Sequence, residues 1–264
     1  MKVLNRLSVI LFTLCLVLLS ISIPSLFIST SKNYYKNQFL KCNSYPDKNE
    51  YLIVRYIDGD RNKVAKFTSS QIDDIIEHIT DFLSDKKDSF ALQMNGVILN
   101  GTKRESVDIF SDESVEHMQD VKLLFLNIKH ITIFIFVLFI LSGIYIIFNR
   151  NKTQKYIFKY SLCSILGLIS AVILFLLFVI FKSGLSIFSI DTFFSTLWEY
   201  MHYLFFPFSP DKFTGSFFND TLTMILNIDF FMNTVKTVVS ILCSSVVIWL
   251  VSTFIIQKTS QTKK

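Results

Sequence analysis

Four histidines carry the only side chains in this sequence whose ordinary titration lies close to neutral pH, and two of them stand among carboxylates at helical spacing. His117 lies in Phe110-Ser111-Asp112-Glu113-Ser114-Val115-Glu116-His117-Met118-Gln119-Asp120-Val121-Lys122. On a helix, Glu113 and Asp120 are its i−4 and i+3 neighbours, so a carboxylate can orient the imidazole and raise its basicity. The competing reading is a surface ion pair. His202 lies in Trp198-Glu199-Tyr200-Met201-His202-Tyr203-Leu204-Phe205-Phe206-Pro207, with Glu199 at i−3. Ionisable groups at membrane depth are functional candidates by default. The competing reading there is an aromatic-belt helix. His78, between Glu77 and Ile79, is expected to be solvated on the polar side of an amphipathic helix, and His130, beside Lys129, to be an interfacial anchor.

The chemistry these residues can support is acid–base chemistry. No Ser sits in a G-x-S-x-G elbow and no glycine-rich phosphate loop is present. Glu199-x-x-His202 has the spacing of one di-iron helix motif, but that motif needs a second copy and two further Glu, and the His117 helix has its Glu at i−4 instead. No metal and no cofactor are expected. Cys15, Cys163 and Cys243 lie within apolar runs and Cys42 is alone outside them, so no disulfide framework is expected.

The elements that must position the histidines are set by hydropathy. The 264 residues are 51% apolar and only 18% charged, below the roughly 25% charged of an average soluble domain, with 28 Phe against 7 Gly and 4 Pro. The apolar residues gather into four runs: Leu7–Ile28, Ile131–Phe148, Ile157–Phe181 and Thr237–Ile256. Each reaches the roughly 18 residues that cross a bilayer as a helix. The first resembles a signal peptide in its Lys2 and Arg6, but it is long and lacks a small-residue cleavage site, so a retained helix is expected. Lys2, Arg6, Arg150, Lys152, Lys155, Lys159, Lys258, Lys263 and Lys264 flank the runs on one side, where no Asp or Glu occurs. The positive-inside rule then puts both termini and the 149–160 loop in the cytoplasm, and all 21 acidic residues on the outer face. The net charge of +5 is therefore a topology signal and not a sign of nucleic acid binding.

The expected fold is membrane α-helical. Four transmembrane helices (residues 1–29, 128–148, 157–182 and 237–256) enclose an extracytoplasmic α+β domain at 30–127 and a Phe-rich interfacial helical loop at 183–236. The cytoplasmic loop is 149–156 and the cytoplasmic tail 257–264. Within the outer domain, Tyr51–Ile57 reads as a strand ended by Asp58-Gly59-Asp60. Ser69–Leu83 reads as a helix capped by Ser69 or Ser70, with Ile72, Ile75, Ile76, Ile79, Phe82 and Leu83 at helical spacing. Phe90–Leu99 is strand-like and closes at Asn100-Gly101. Ser111 caps a further helix that can be continuous with the second span.

At these segments the sequence resembles a family of four-span bacterial membrane proteins, formerly a domain of unknown function, that includes the lipoprotein intramolecular transacylase. The family pattern before the second span is matched by Phe110-Ser111, His117-Met118 and Asp120-Val121-Lys122, with Ser114 in place of a Glu. Its His-x-x-Phe-Phe stretch is matched by His202, Phe205 and Phe206. Asp220-Thr221-Leu222 and Phe230-Phe231 match the segment that follows. A Trp shortly after the Phe-Phe is replaced by Pro210-Asp211-Lys212, and a Pro before Phe230 is absent.

The resemblance implies an acyltransferase that moves an acyl chain from the glyceryl lipid of a lipoprotein's N-terminal Cys to that residue's own α-amine, giving a lyso-form lipoprotein. It implies His117 and His202 as the catalytic pair at the outer face of the cell membrane. Glu113, Asp120, Lys122 and Glu199 would support them, and Trp198, Phe205 and Phe206 would bind the lipid. The partners implied are the bilayer and a diacylated lipoprotein or other membrane lipid. Two alternatives stand beside it: a relative that acts on another lipid or has no activity, and a non-enzymatic membrane protein whose outer domain binds a partner.

Overall fold

The computed structural model describes residues 2–42, 45–47, 50–56, 63–182 and 221–262. In chain order the helices are α1 (Lys2–Thr30), α2 (Lys32–Lys41), α3 (Ser69–Leu83), α4 (Asp112–Phe148), α5 (Arg150–Thr153), α6 (Ile157–Lys182), α7 (Thr221–Ile225) and α8 (Ile228–Thr262). The strands are β1 (Leu52–Tyr56), β2 (Lys63–Phe67), β3 (Gln93–Met94), β4 (Ile98–Leu99), β5 (Thr102–Lys103) and β6 (Val107–Asp108). Among the described residues four helices, Val3–Thr30, Asp112–Phe148, Ile157–Phe178 and Asp229–Ser260, are long and apolar enough to cross a membrane. The chain divides into two compact units, one of Met1–Ile23, Lys129–Pro210 and Val239–Lys264, the other of Pro24–Ile128 and Asp211–Val238.

The first unit is a helical bundle. Gly143 lets the Phe12 ring approach α4 closely: a Cβ there would stand 3.0 Å from the ring. Phe12 stacks on Phe139 with centroids 4.3 Å apart and meets Trp249 at 4.9 Å. Among these rings lies a polar node. The Trp249 Nε1–H points to both Thr13 Oγ1 and Ser161 Oγ, 3.2 Å from each, and the two hydroxyls are 3.1 Å apart. The node ties α1, α6 and α8 together where lipid offers no hydrogen bonds. Tyr145 donates to Asn5 Oδ1 over 2.8 Å, and the Arg6 guanidinium lies over the Tyr156 and Tyr160 rings. Phe134, Leu174 and Ile248 are among many large apolar side chains left exposed on the helices, a surface suited to hydrocarbon and costly in water.

The second unit is α+β. β1, β2, β4 and β5 form an antiparallel sheet in that order, and β3 pairs with β6. β4 and β5 are joined by Asn100-Gly101, both with positive φ (49° and 81°), as a two-residue type I′ turn requires. The apolar stripe of α3 (Ile72, Ile75, Ile76, Ile79, Phe82) is buried with Val54, Ala65 and Phe67 of the sheet. Tyr35 and Phe39 of α2 and Phe230 of α8 close the same core, with Phe230 5.0 Å from the Tyr35 ring.

Several sequence expectations need correction. α3 spans Ser69–Leu83 as expected, but Thr68, not Ser69 or Ser70, is its N-cap, in a reciprocal capping box with Gln71. The single strand expected over Phe90–Leu99 is two short strands, β3 and β4, because Gly96 (φ 73°) breaks the run. The last helix begins at Ile228, ahead of Thr237, where Asn227 Oδ1 accepts from Phe230 N. The turn expected at Asp58-Gly59-Asp60 lies outside the described residues.

Candidate functional site

α4 begins where its sequence dictates. Ser111 supplies the cap: its hydroxyl accepts from Ser114 N at 3.2 Å and its carbonyl from Val115 N at 2.9 Å. Asp112 and Glu113 put negative charge at the positive end of the helix dipole. The helical hydrogen bonding runs unbroken for 37 residues, so the His117 segment and the second span belong to one helix. Ser114, Met118 and Lys122 recur every four residues and are all buried, which makes them the core-facing stripe. His117 is turned about 100° from Met118 and is half-buried at the edge of that stripe. Glu113 is exposed and Asp120 half-buried, both within a helical turn of His117. A half-buried imidazole is a side chain with the chemistry for proton transfer, and Glu113 and Asp120 are the carboxylates at i−4 and i+3 from it.

Lys122 faces another way. Its ammonium is 2.7 Å from Asp85 Oδ1, donates to the Lys87 carbonyl oxygen over 2.8 Å, and lies 4.9 Å from the Phe82 ring centroid. Its polar head is therefore engaged with the segment between α3 and β3.

His78 corrects the expectation of a solvated residue, since it is only 4% exposed. Nε2–H donates to the Phe90 carbonyl over 3.0 Å and Nδ1 accepts from Lys87 Nζ over 3.1 Å, a pattern that suits the neutral ring. Burial chiefly, with Lys87 adding to it, pushes the imidazole below its ordinary pKa, against the bond to Phe90. The ring lies beside Phe90 and Phe110, which stack with centroids 4.4 Å apart. A sequence signal for this existed: His78 is i+3 from Ile75 and i−4 from Phe82 on the apolar flank of α3. His130 is exposed.

His202, Glu199, Trp198, Phe205 and Phe206 lie outside the described residues. Of the further segments matching the family pattern, Phe110, Leu222 and Phe230 are buried core residues of the α+β unit. Among the described residues no group of three or more His, Cys, Asp or Glu is placed to hold a metal ion, and none of the four cysteines is in a disulfide.

The fold and the α4 segment define a multi-pass membrane protein that carries an α+β unit between its first two spans. The family model described as "Lipoprotein intramolecular transacylase Lit" matches residues 7–231, and the chain belongs to that family. The fold is similar to that of the membrane integral lipoprotein intramolecular transacylase Lit from Bacillus cereus, with a TM-score of 0.63, 14% identity, and coverage of 99% of this chain and 100% of that one. No curated protein sequence matches the chain.

Proposed function

We propose that this protein is a transacylase that moves an acyl chain from the glyceryl ester of a diacylated lipoprotein to the α-amine of its N-terminal cysteine. The observation that carries the reading is the family match over residues 7–231, which takes in both His117 and His202. The half-buried position of His117 on a capped helix next to Glu113 and Asp120 is compatible with it.

The chemistry needs no nucleophile from the protein. The substrate's amine attacks its own ester carbonyl. One N–C bond forms, the bond between the acyl carbonyl carbon and the glyceryl oxygen breaks, and the amine's proton passes to that departing oxygen. A free α-amine has a pKa of about 8 and an imidazole about 6.5, so a histidine can accept that proton as the bond forms. One histidine takes the amine proton, and the other holds the developing oxyanion or returns a proton to the leaving oxygen. Because both reacting groups belong to one molecule, positioning contributes most of the acceleration. Trp198, Phe205 and Phe206 hold acyl chain, and Glu113, Asp120 and Glu199 orient the imidazoles. No cofactor takes part. In this reading both termini are cytoplasmic, and segments 30–127 and 183–236 with the active site lie on the outer face.

The test is expression in a bacterium that lacks lipoprotein N-acylation, with N-terminal lipopeptides read by mass spectrometry. The wild-type chain should convert diacylated lipopeptides to the N-acylated lyso form. His117→Ala and His202→Ala should each lower product by about 10²–10⁴-fold, the usual cost of losing a general base. Unchanged lipopeptides from a chain that is present in the membrane would overturn the reading.

A further inference from the structure

The α+β unit puts a charged residue where its own pattern calls for an apolar one. Ser114, Met118 and Lys122 form the buried stripe of α4, and the last of the three is an ammonium. A leucine there would pack without reference to direction. An ammonium must instead reach oxygen, and two oxygens of one short segment receive it: the Asp85 carboxylate at 2.7 Å and the Lys87 carbonyl at 2.8 Å.

That segment is itself pinned to α3. Lys86 N donates to the Asp81 carbonyl over 2.9 Å and its ammonium pairs with the Asp81 side chain at 3.2 Å. Lys87 Nζ reaches His78 Nδ1, and Phe90 O accepts from His78 Nε2. Asp85 holds a positive φ of 63°, which turns the chain sharply after the helix. Residues 85–90 thus form a bracket, fixed to α3 by His78 and Asp81 and to α4 by Lys122.

Resting on the proposed function, we infer that Lys122 is a positioning residue for His117. The Lys122 contact fixes both the rotation of α4 about its axis and its axial setting against α3. The two residues are five positions apart, which places their side chains about 140° apart around the axis and about 7.5 Å apart along it. With Lys122 held inward, His117 can face only one sector. Only the Lys122 side of the pair is buried, the Asp85 side chain being 52% exposed, so the contact adds little net stability and what it supplies is register.

The experiment uses the full chain in detergent micelles with a synthetic diacylated lipopeptide, measuring kcat and KM separately, with His117→Ala as the reference. Lys122→Met should lower kcat by about 10–100-fold, the range typical of lost orienting partners, with KM unchanged. Lys122→Arg, which can still reach both oxygens, should recover much of the loss. Asp85→Asn is the second variant. Asn tolerates the left-handed backbone, so the fold survives and only the charge is lost, and kcat should again fall with KM unchanged. Wild-type kcat in both Lys122→Met and Asp85→Asn, with His117→Ala inactive, would overturn this inference and leave the function standing. A fully active His117→Ala would overturn the function itself. A loss in Lys122→Met that Lys122→Arg does not relieve, with Asp85→Asn unchanged, would also overturn the positioning role.

Discussion

Two histidines of the α+β unit have opposite characters because of where each stands on its helix. His117 is half-buried at the edge of a buried stripe, with Glu113 and Asp120 a helical turn away in sequence, whereas His78 is sealed under Phe90 and Phe110. The buried ring prefers to stay neutral, which links the unit's stability to pH. Its folded pKa lies below the ordinary value of about 6.5, so in mild acid the unfolded chain binds the extra proton. The stability that neutral His78 contributes should be fully present above about pH 6.5 and fall away as the pH drops from there through the lower folded pKa. Hydrogen exchange of α3 amides between pH 7.5 and 5 should show this loss. In His78→Gln, whose amide can still donate to Phe90 O, the pH dependence should disappear. For the proposed catalytic pair, the His117→Ala, His202→Ala double variant should turn over lipopeptide little more slowly than either single one, since groups acting as a unit are not additive. Independent losses that multiply would show that the two histidines do not act together.

At the scale of elements, legibility in the sequence followed periodicity. α3 was readable because six apolar residues recur at helical spacing, and Asn100-Gly101 because that dipeptide suits φ > 0 at both positions. α2 was not, since Lys32–Lys41 is mostly polar and its buried face, Tyr35, Gln38 and Phe39, is a single turn with a polar Gln in it. β2 was missed because two lysines in five residues hide its buried Ala65 and Phe67, and strands of two residues are too short to alternate. The candidate site shows the same division. His117 was legible from its carboxylate spacing, but the bracket that seats its helix joins Asp85, Lys87 and Lys122 across 35 residues, a distance no local pattern reports. The N-terminus of α3 offers a direct check. Thr68→Ala removes the hydroxyl that accepts from Gln71 N but keeps the backbone N–H that donates to Gln71 Oε1, and should cost about 1 kcal/mol in denaturant unfolding of the unit. No change in midpoint would mean that the box contributes nothing.

For the whole molecule, the family match and the four long apolar helices establish a multi-pass membrane protein, and the basic flanks supply its proposed orientation. Thr102 sits in the α+β unit on exposed β5, which makes it a suitable reporter. In a background with the four native cysteines removed, Thr102→Cys should react with a membrane-impermeant thiol reagent added to intact cells. Labelling only after the membrane is breached would invert the topology. The Trp249 node should matter more for uniqueness than for strength. Trp249→Phe keeps the ring and loses the N–H shared by Thr13 and Ser161. A membrane hydrogen bond is worth about 0.6 kcal/mol on average, so a small drop in stability to denaturing detergent is expected.

The β4–β5 turn also gives the protein a chemical clock. Asn-Gly sequences age: the following amide nitrogen attacks the side-chain carboxamide, ammonia leaves, and water reopens the ring as aspartate or its backbone-extended isomer. In the folded unit the Asn100 carboxamide oxygen accepts from Val64 N at 2.7 Å while Asn100 N donates to Val64 O at 2.9 Å. Those bonds hold the carboxamide against β2 and away from the nitrogen that would attack it. Loss of ammonia at Asn100 should therefore accumulate only while β2 and β4 are apart, so the aged fraction records the cumulative time this sheet has spent open. Peptide mapping of samples stored with and without a sub-denaturing level of urea should show ageing concentrated in the sample with urea, and equal ageing in both would mean that the turn is unprotected.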